Sequence, residues 1–90
     1  TSQGITVVDA FATWCGPCKM LGPVFKEVAE KTEGMEFIKL DIDQNREVVT
    51  DLGVKSVPTL IIFKDGVELD RRTGFIPSEK LTEWIQEKTK

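Results

Sequence analysis

Ile5-Thr6-Val7-Val8-Asp9-Ala10-Phe11 is a β-branched, nearly unbroken apolar run. It is too continuous for a strand with one wet face, so it predicts a central strand covered on both sides. The spacing then changes. Leu21, Val24, Phe25, Val28 and Ala29 share one side of a helix expected over residues 18–32. Pro23 removes a ladder hydrogen bond there and predicts a kink near Lys19–Pro23 rather than an end. Gly34 fits a C-terminal stop. Met35–Asp41 returns to strand with Phe37, Ile38 and Leu40, and a short helix is expected from about Asn45 to Leu52 on Val48, Val49 and Leu52. Pro58–Phe63 is another dense apolar strand, and Lys64-Asp65-Gly66-Val67 reads as a hairpin turn into a strand over Val67–Thr73. Pro77 suits the first position of a last helix, which buries Leu81, Trp84 and Ile85. The order β-α-β-α-β-β-α, without repeat or linker, predicts one α/β domain over residues 1–90, a mixed four-stranded sheet with helices on both faces.

Composition narrows the chemistry. Ninety residues lie near the lower limit for a core that stands without staples. The chain is 40% hydrophobic and 30% charged with a net charge of -3, which gives no electrostatic reason to expect nucleic acid or an anionic membrane as partner. No apolar run approaches the roughly 18 residues of a membrane span, and no basic-then-apolar leader is evident. With no histidine, imidazole bases and His-ligated metals are excluded. Two cysteines do not make a disulfide scaffold, so a reducing compartment, the cytoplasm, is expected.

Both cysteines fall in Trp14-Cys15-Gly16-Pro17-Cys18, between the first strand and the first helix. Thiols one helical turn apart close a disulfide with little backbone movement. Cys15, at the helix start, has unpaired backbone N–H groups and the positive dipole end beside it, and both favour thiolate. It is therefore assigned as the attacking nucleophile. Cys18, one turn further in and expected to be more buried, is the resolving thiol. Pro17 fixes φ at the helix start, and Gly16 removes bulk where a substrate sulfur approaches. The competing readings are an inert surface pair and a zinc site of four thiolates shared by two chains, since one chain supplies too few ligands.

Asp9 is out of place inside a Val-rich strand, on the same face as Phe11. It is either satisfied locally near a wet strand end, or a buried carboxylate of raised pKa that serves Cys18 as a general base, directly or through water. Trp14 is either core or an apolar rim beside the reactive sulfur, its position favouring the rim. Trp84, at helical spacing with Leu81, is core. Pro58 marks a strand start or edge.

The chain resembles the thioredoxin family. The likeness rests on Trp14-Cys15-Gly16-Pro17-Cys18-Lys19, Lys39-Leu40-Asp41-Ile42-Asp43, Val57-Pro58-Thr59, the Lys64-Asp65-Gly66 turn and Gly74, and it covers nearly the whole sequence. It implies a thioredoxin-like fold, a role for Asp9 with Lys39 as its partner on the next strand, and a cis Val57-Pro58 bond facing the cysteines. The Val57 backbone would then be open to pair with an extended peptide, with Trp14, Thr59 and Gly74 beside it in the substrate groove. Phe11 stands where the family often has a second tryptophan. The family's strand and helix ahead of the central strand have no counterpart here, as in a shortened variant, an engineered minimal version or a fragment. An exposed edge at residues 35–41 would favour weak self-association.

The expected function is a general protein-disulfide reductant acting on protein disulfide substrates. The resemblance implies recharging by a thioredoxin-reductase-type donor, either a flavoprotein drawing on NADPH or a ferredoxin-linked enzyme. No cofactor or metal is expected on this chain, whose glycines are scattered rather than gathered in a phosphate-binding loop. The alternatives are a disulfide-forming or isomerising domain, and a binding module that grips a partner through the apolar rim.

Overall fold

The computed structural model describes residues 4–90. Strand β1 (Ile5–Phe11) leads into α1 (Gly16–Lys31) and β2 (Met35–Asp41). Then come α2 (Arg46–Leu52), β3 (Thr59–Lys64), β4 (Val67–Thr73) and α3 (Ser78–Lys88). The strands form one sheet in the order β2-β1-β3-β4. β1 runs parallel to β2 and antiparallel to β3, which pairs antiparallel with β4. A neighbour on each side and cover on both faces explain the unbroken apolar run of β1.

Strand alternation sorts the two faces. Ile5 and Val7 join Leu60 and Ile62 on the face covered by α1 and α3, where Leu21, Phe25 and Val28 meet Leu81, Trp84 and Ile85. Truncating one of these, as in Leu81→Ala, costs about 2–5 kcal/mol through lost burial and the cavity left behind. Asp9 shares this face by its parity with Val7. The other face carries Thr6, Val8 and Ile61. Arg71 pairs with Ile61 and so shares that side. Its Nη2 donates to the Leu52 carbonyl at 2.7 Å, which ties the end of α2 over the second face.

The elements depart from the sequence expectation where local hydrogen bonds decide. α1 begins at Gly16, earlier than residue 18, because Cys15 caps it. It runs unbroken through Pro23 and stops at Lys31. There Thr32 leaves the helix and donates its hydroxyl to the Val28 carbonyl at 2.7 Å. Gly34 belongs to the turn before β2 rather than to the cap. β3 begins at Thr59, since Pro58 has no N–H for the ladder. Pro77 is the cap of α3 rather than its first residue. In α2 no residue is buried and Val48 is 47% exposed, so its apolar side does not form core. A seven-residue helix whose tie to the sheet is at its last turn does not reach inward. The hairpin is as expected: Asp65 (φ 52) and Gly66 (φ 85) both take positive φ, as a two-residue turn of matching twist requires.

Candidate active site

Where β1 ends, the chain turns sharply into α1. The Cys15 N–H donates to the Ala12 carbonyl at 3.2 Å, and the Lys19 N–H donates to the Cys15 carbonyl at 3.3 Å. Cys15 thus sits at the cap of α1 in extended conformation (φ -93, ψ 119), with Pro17 in the first turn. The two cysteines are joined as a disulfide, their Cα atoms 5.2 Å apart. Their surroundings differ less in exposure than the sequence suggests, Cys15 being 6% and Cys18 4% exposed. The distinction lies in polarity: the Cys18 N–H donates to Cys15 Sγ at 3.3 Å. One of the orphan amides of the helix N-terminus is therefore aimed at the outer sulfur. A Cβ on Gly16 would meet nothing within 4 Å, so the space beside Cys15 is open.

Residues distant in sequence complete the surface. Cys15 Sγ lies 3.8 Å from the Val57 carbonyl oxygen. The Val57-Pro58 bond is cis. The Pro58 carbonyl accepts the Gly74 N–H at 2.9 Å, and Gly74 has φ +91, a region that side chains resist. Thr59 is buried, its hydroxyl donating to the Ser56 carbonyl at 2.6 Å. Trp14 is 67% exposed, which places it on the rim and not in the core. Its indole N–H donates to Asp43 Oδ2 at 3.0 Å. Asp43 was not singled out by its own chemistry in the sequence, because its partner is 29 residues away. Trp14, Ile42, Val54, Lys55, Ser56 and Val57 line a groove of about 330 Å³.

Beneath the pair the setting is different. Ala12, Cys15 and Cys18 form a small buried cluster, with Phe11, Ile42 and Val57 against it. Asp9 is fully buried and neither carboxylate oxygen has a hydrogen-bond partner among the described residues. Burial pushes its carboxyl from 3.8 up to about 6, against the pull of the Lys39 charge. Lys39 stands directly opposite Asp9 on β2. Its Nζ lies 4.8 Å from the centre of the Phe11 ring. Phe11, Lys39 and Cys18 share the wall of one cavity. The sequence expectations for Cys15, Cys18, Asp9 and Lys39 thus fall together in one part of the fold, as do Trp14, Val57, Pro58 and Gly74.

The thioredoxin family model matches residues 1–87. The chain belongs to the thioredoxin family. A thioredoxin of Mycoplasmoides gallisepticum is 48% identical over 80 residues, spanning 89% of this chain and 80% of its own. One of Staphylococcus aureus is 49% identical over 82 residues, spanning 90% and 79%. Solved structures agree. The Malassezia sympodialis thioredoxin superposes with a TM-score of 0.83 at 34% identity, covering 98% of this chain and 80% of that one. A mutant thioredoxin from Halobacterium salinarum gives 0.90 at 35% identity, covering 98% and 77%. The thioredoxin-like fold, the disulfide between Cys15 and Cys18 and this membership make the chain a thiol-disulfide oxidoreductase that works through that pair on protein disulfides.

Proposed function

We propose that this oxidoreductase runs as a protein-disulfide reductant. The Cys15 thiolate attacks a substrate disulfide, whose S–S bond breaks. One substrate sulfur leaves as thiolate and the other is held as a mixed disulfide on Cys15. Cys18 then gives up its proton and attacks Cys15 Sγ, which releases the second substrate thiol and leaves the Cys15–Cys18 disulfide. Two electrons pass to the substrate, and the structure corresponds to the oxidised end point.

The observation that carries this direction of roles is the Cys18 N–H aimed at Cys15 Sγ at 3.3 Å, at the positive end of α1. That donor and the helix dipole stabilise negative charge on Cys15, the thiolate that makes the first attack. Asp9, raised to about 6 by burial, is the group suited to accept the Cys18 proton near neutral pH. Lys39 is the counter-charge that holds Asp9 ionised often enough to act. Trp14, Gly16, Pro17, Val57 and Gly74 form the surface on which an extended substrate lies, its backbone pairing at Val57, while Pro58 and Thr59, expected in that groove, are buried and support it from beneath.

A thioredoxin-reductase-type enzyme is the proposed source of electrons and the cytoplasm the proposed site of action. Weak self-association through β2 accompanies this reading, because β2 has one sheet neighbour among the described residues and Ile38 is 40% exposed. Insulin reduction driven by dithiothreitol tests the activity, and equilibration with glutathione tests its direction. The couple is expected to be more reducing than glutathione. A potential on the oxidising side of that couple would assign the chain to disulfide formation instead. Sedimentation across a concentration series checks the β2 edge, where a strictly monomeric protein would remove self-association from the account.

A further inference from the structure

Separate from the groove beside Trp14, α1 and β2 leave a second cleft of about 800 Å³ between them. That volume is in the range of small-molecule sites, roughly 300–1,000 Å³. Phe11, Phe25 and Phe37 give it an aromatic lining, with Phe25 and Phe37 edge to face at 5.4 Å. Pro23 and Ala29 add apolar walls, and Cys18 contributes the inner side of the redox pair.

Its charge is one-sided. Lys19, Lys26 and Lys39 line the cleft and no carboxylate does, in a chain with 15 acidic and 12 basic residues. Lys19 and Lys26 are seven positions apart on α1, hence on one side of the helix and roughly 10 Å apart along it. Lys19 and Lys26 are in no salt bridge among the described residues, whereas Lys31, Lys80 and Lys88 each are, and Lys39 adds its charge from opposite the buried Asp9. A Cβ on Gly22 would lie 3.5 Å from Lys39 Nζ, in ordinary van der Waals contact, so the Lys39 head group reaches across the cleft to α1. An uncharged apolar occupant would desolvate these ammonium groups without compensation. A second copy docked symmetrically would set the same lysines against themselves.

We propose that this cleft is a binding site for a small amphipathic anion, an aromatic or medium-chain carboxylate or sulfonate. The apolar body of such a ligand lies among Phe11, Phe25 and Phe37, and Lys26 and Lys39 meet its charge. Binding there does not depend on the direction of electron flow proposed above.

The test uses 8-anilinonaphthalene-1-sulfonate on the oxidised protein, with the uncharged N-phenyl-1-naphthylamine as control, followed by fluorescence and calorimetry. One sulfonate should bind per chain with a Kd on the order of tens of micromolar, and more tightly than the neutral probe. Lys26→Glu, on an exposed position, should weaken sulfonate binding roughly fivefold or more. Ala29→Trp should fill the cleft and abolish binding. Both variants should reduce insulin at the parent rate without probe, which separates failure of this site from failure of the redox function. Equal affinity for the neutral probe, or sulfonate binding unchanged in Lys26→Glu and Ala29→Trp, would overturn the proposal. So would loss of probe binding in step with dimer formation, which would assign the cleft to a second copy.

Discussion

Asp43 and Asp9 flank the redox pair from opposite environments. Asp43 stands in solvent and holds the Trp14 indole N–H at 3.0 Å. Asp9 is enclosed, with both oxygens unpartnered among the described residues, and stands opposite Lys39 on the neighbouring strand. A hydrated carboxylate with a donor fixed on it acts as a bracket for its partner. A dry one without a donor has its proton affinity raised toward the working pH, which suits it to the proton-carrying role proposed for Asp9. In the proposed function the same residue type therefore supports recognition on the outer side of the disulfide and chemistry on the inner side.

The largest effect expected is on the sulfur itself. Cys15→Ser should reduce insulin turnover to the rate of dithiothreitol alone, while Cys18→Ser should accumulate a mixed disulfide visible as added mass. Turnover that survives Cys15→Ser would remove the asymmetry between the two sulfurs. Next comes the inner carboxylate. Asp9→Asn should slow resolution of the mixed disulfide about a hundredfold, within the usual range for general-base catalysis, and leave the first attack unchanged in stopped-flow assays.

Asp9 also sets a stability prediction with a definite sign. Its carboxyl is raised in the fold, so its contribution to stability is fully present below about pH 4 and is lost as pH climbs through about 6. At roughly 1.4 kcal/mol per pH unit the loss is about 3 kcal/mol. Asp9→Asn should abolish that fall and raise stability at pH 7 by up to the same amount, read from urea unfolding at the two pH values. A parent protein as stable at pH 7 as at pH 4 would contradict the buried, unpartnered carboxylate.

The outer side is expected to be more tolerant. Gly74→Ala forces a side chain into φ +91 and should cost about 1–2 kcal/mol in urea unfolding. The smallest effect belongs to the bracket. Asp43→Ala should raise KM for insulin about two- to threefold at unchanged kcat, with stability within about 0.5 kcal/mol of the parent. A large fall in kcat would give Asp43 a share in the chemistry and erase the contrast with Asp9.

Legibility in the sequence follows the range of the interactions. β1, β2, β4 and the hairpin are plain because apolar runs and the Asp65-Gly66 turn act locally. The bounds of α1 are less plain, since they depend on a sulfur accepting the Cys18 N–H and on the Thr32 hydroxyl reaching the Val28 carbonyl. Burial is harder still. Val48, Val49 and Leu52 have helical spacing, yet only packing reveals that α2 lies too far out to sink them. The site divides in the same way. Asp9 is conspicuous because a carboxylate interrupts an apolar face. Lys39 is legible only through family likeness, and Asp43 is silent because its partner lies 29 residues back in the chain.

The most direct test of Asp9 as the proton carrier is the pH profile of the resolution step in single-turnover experiments, for the parent and for Asp9→Asn. The account predicts that the parent rate rises as the carboxyl ionises through about pH 6, and that this rise is missing in Asp9→Asn while the attack step keeps its own profile. The same rise in both proteins would contradict it.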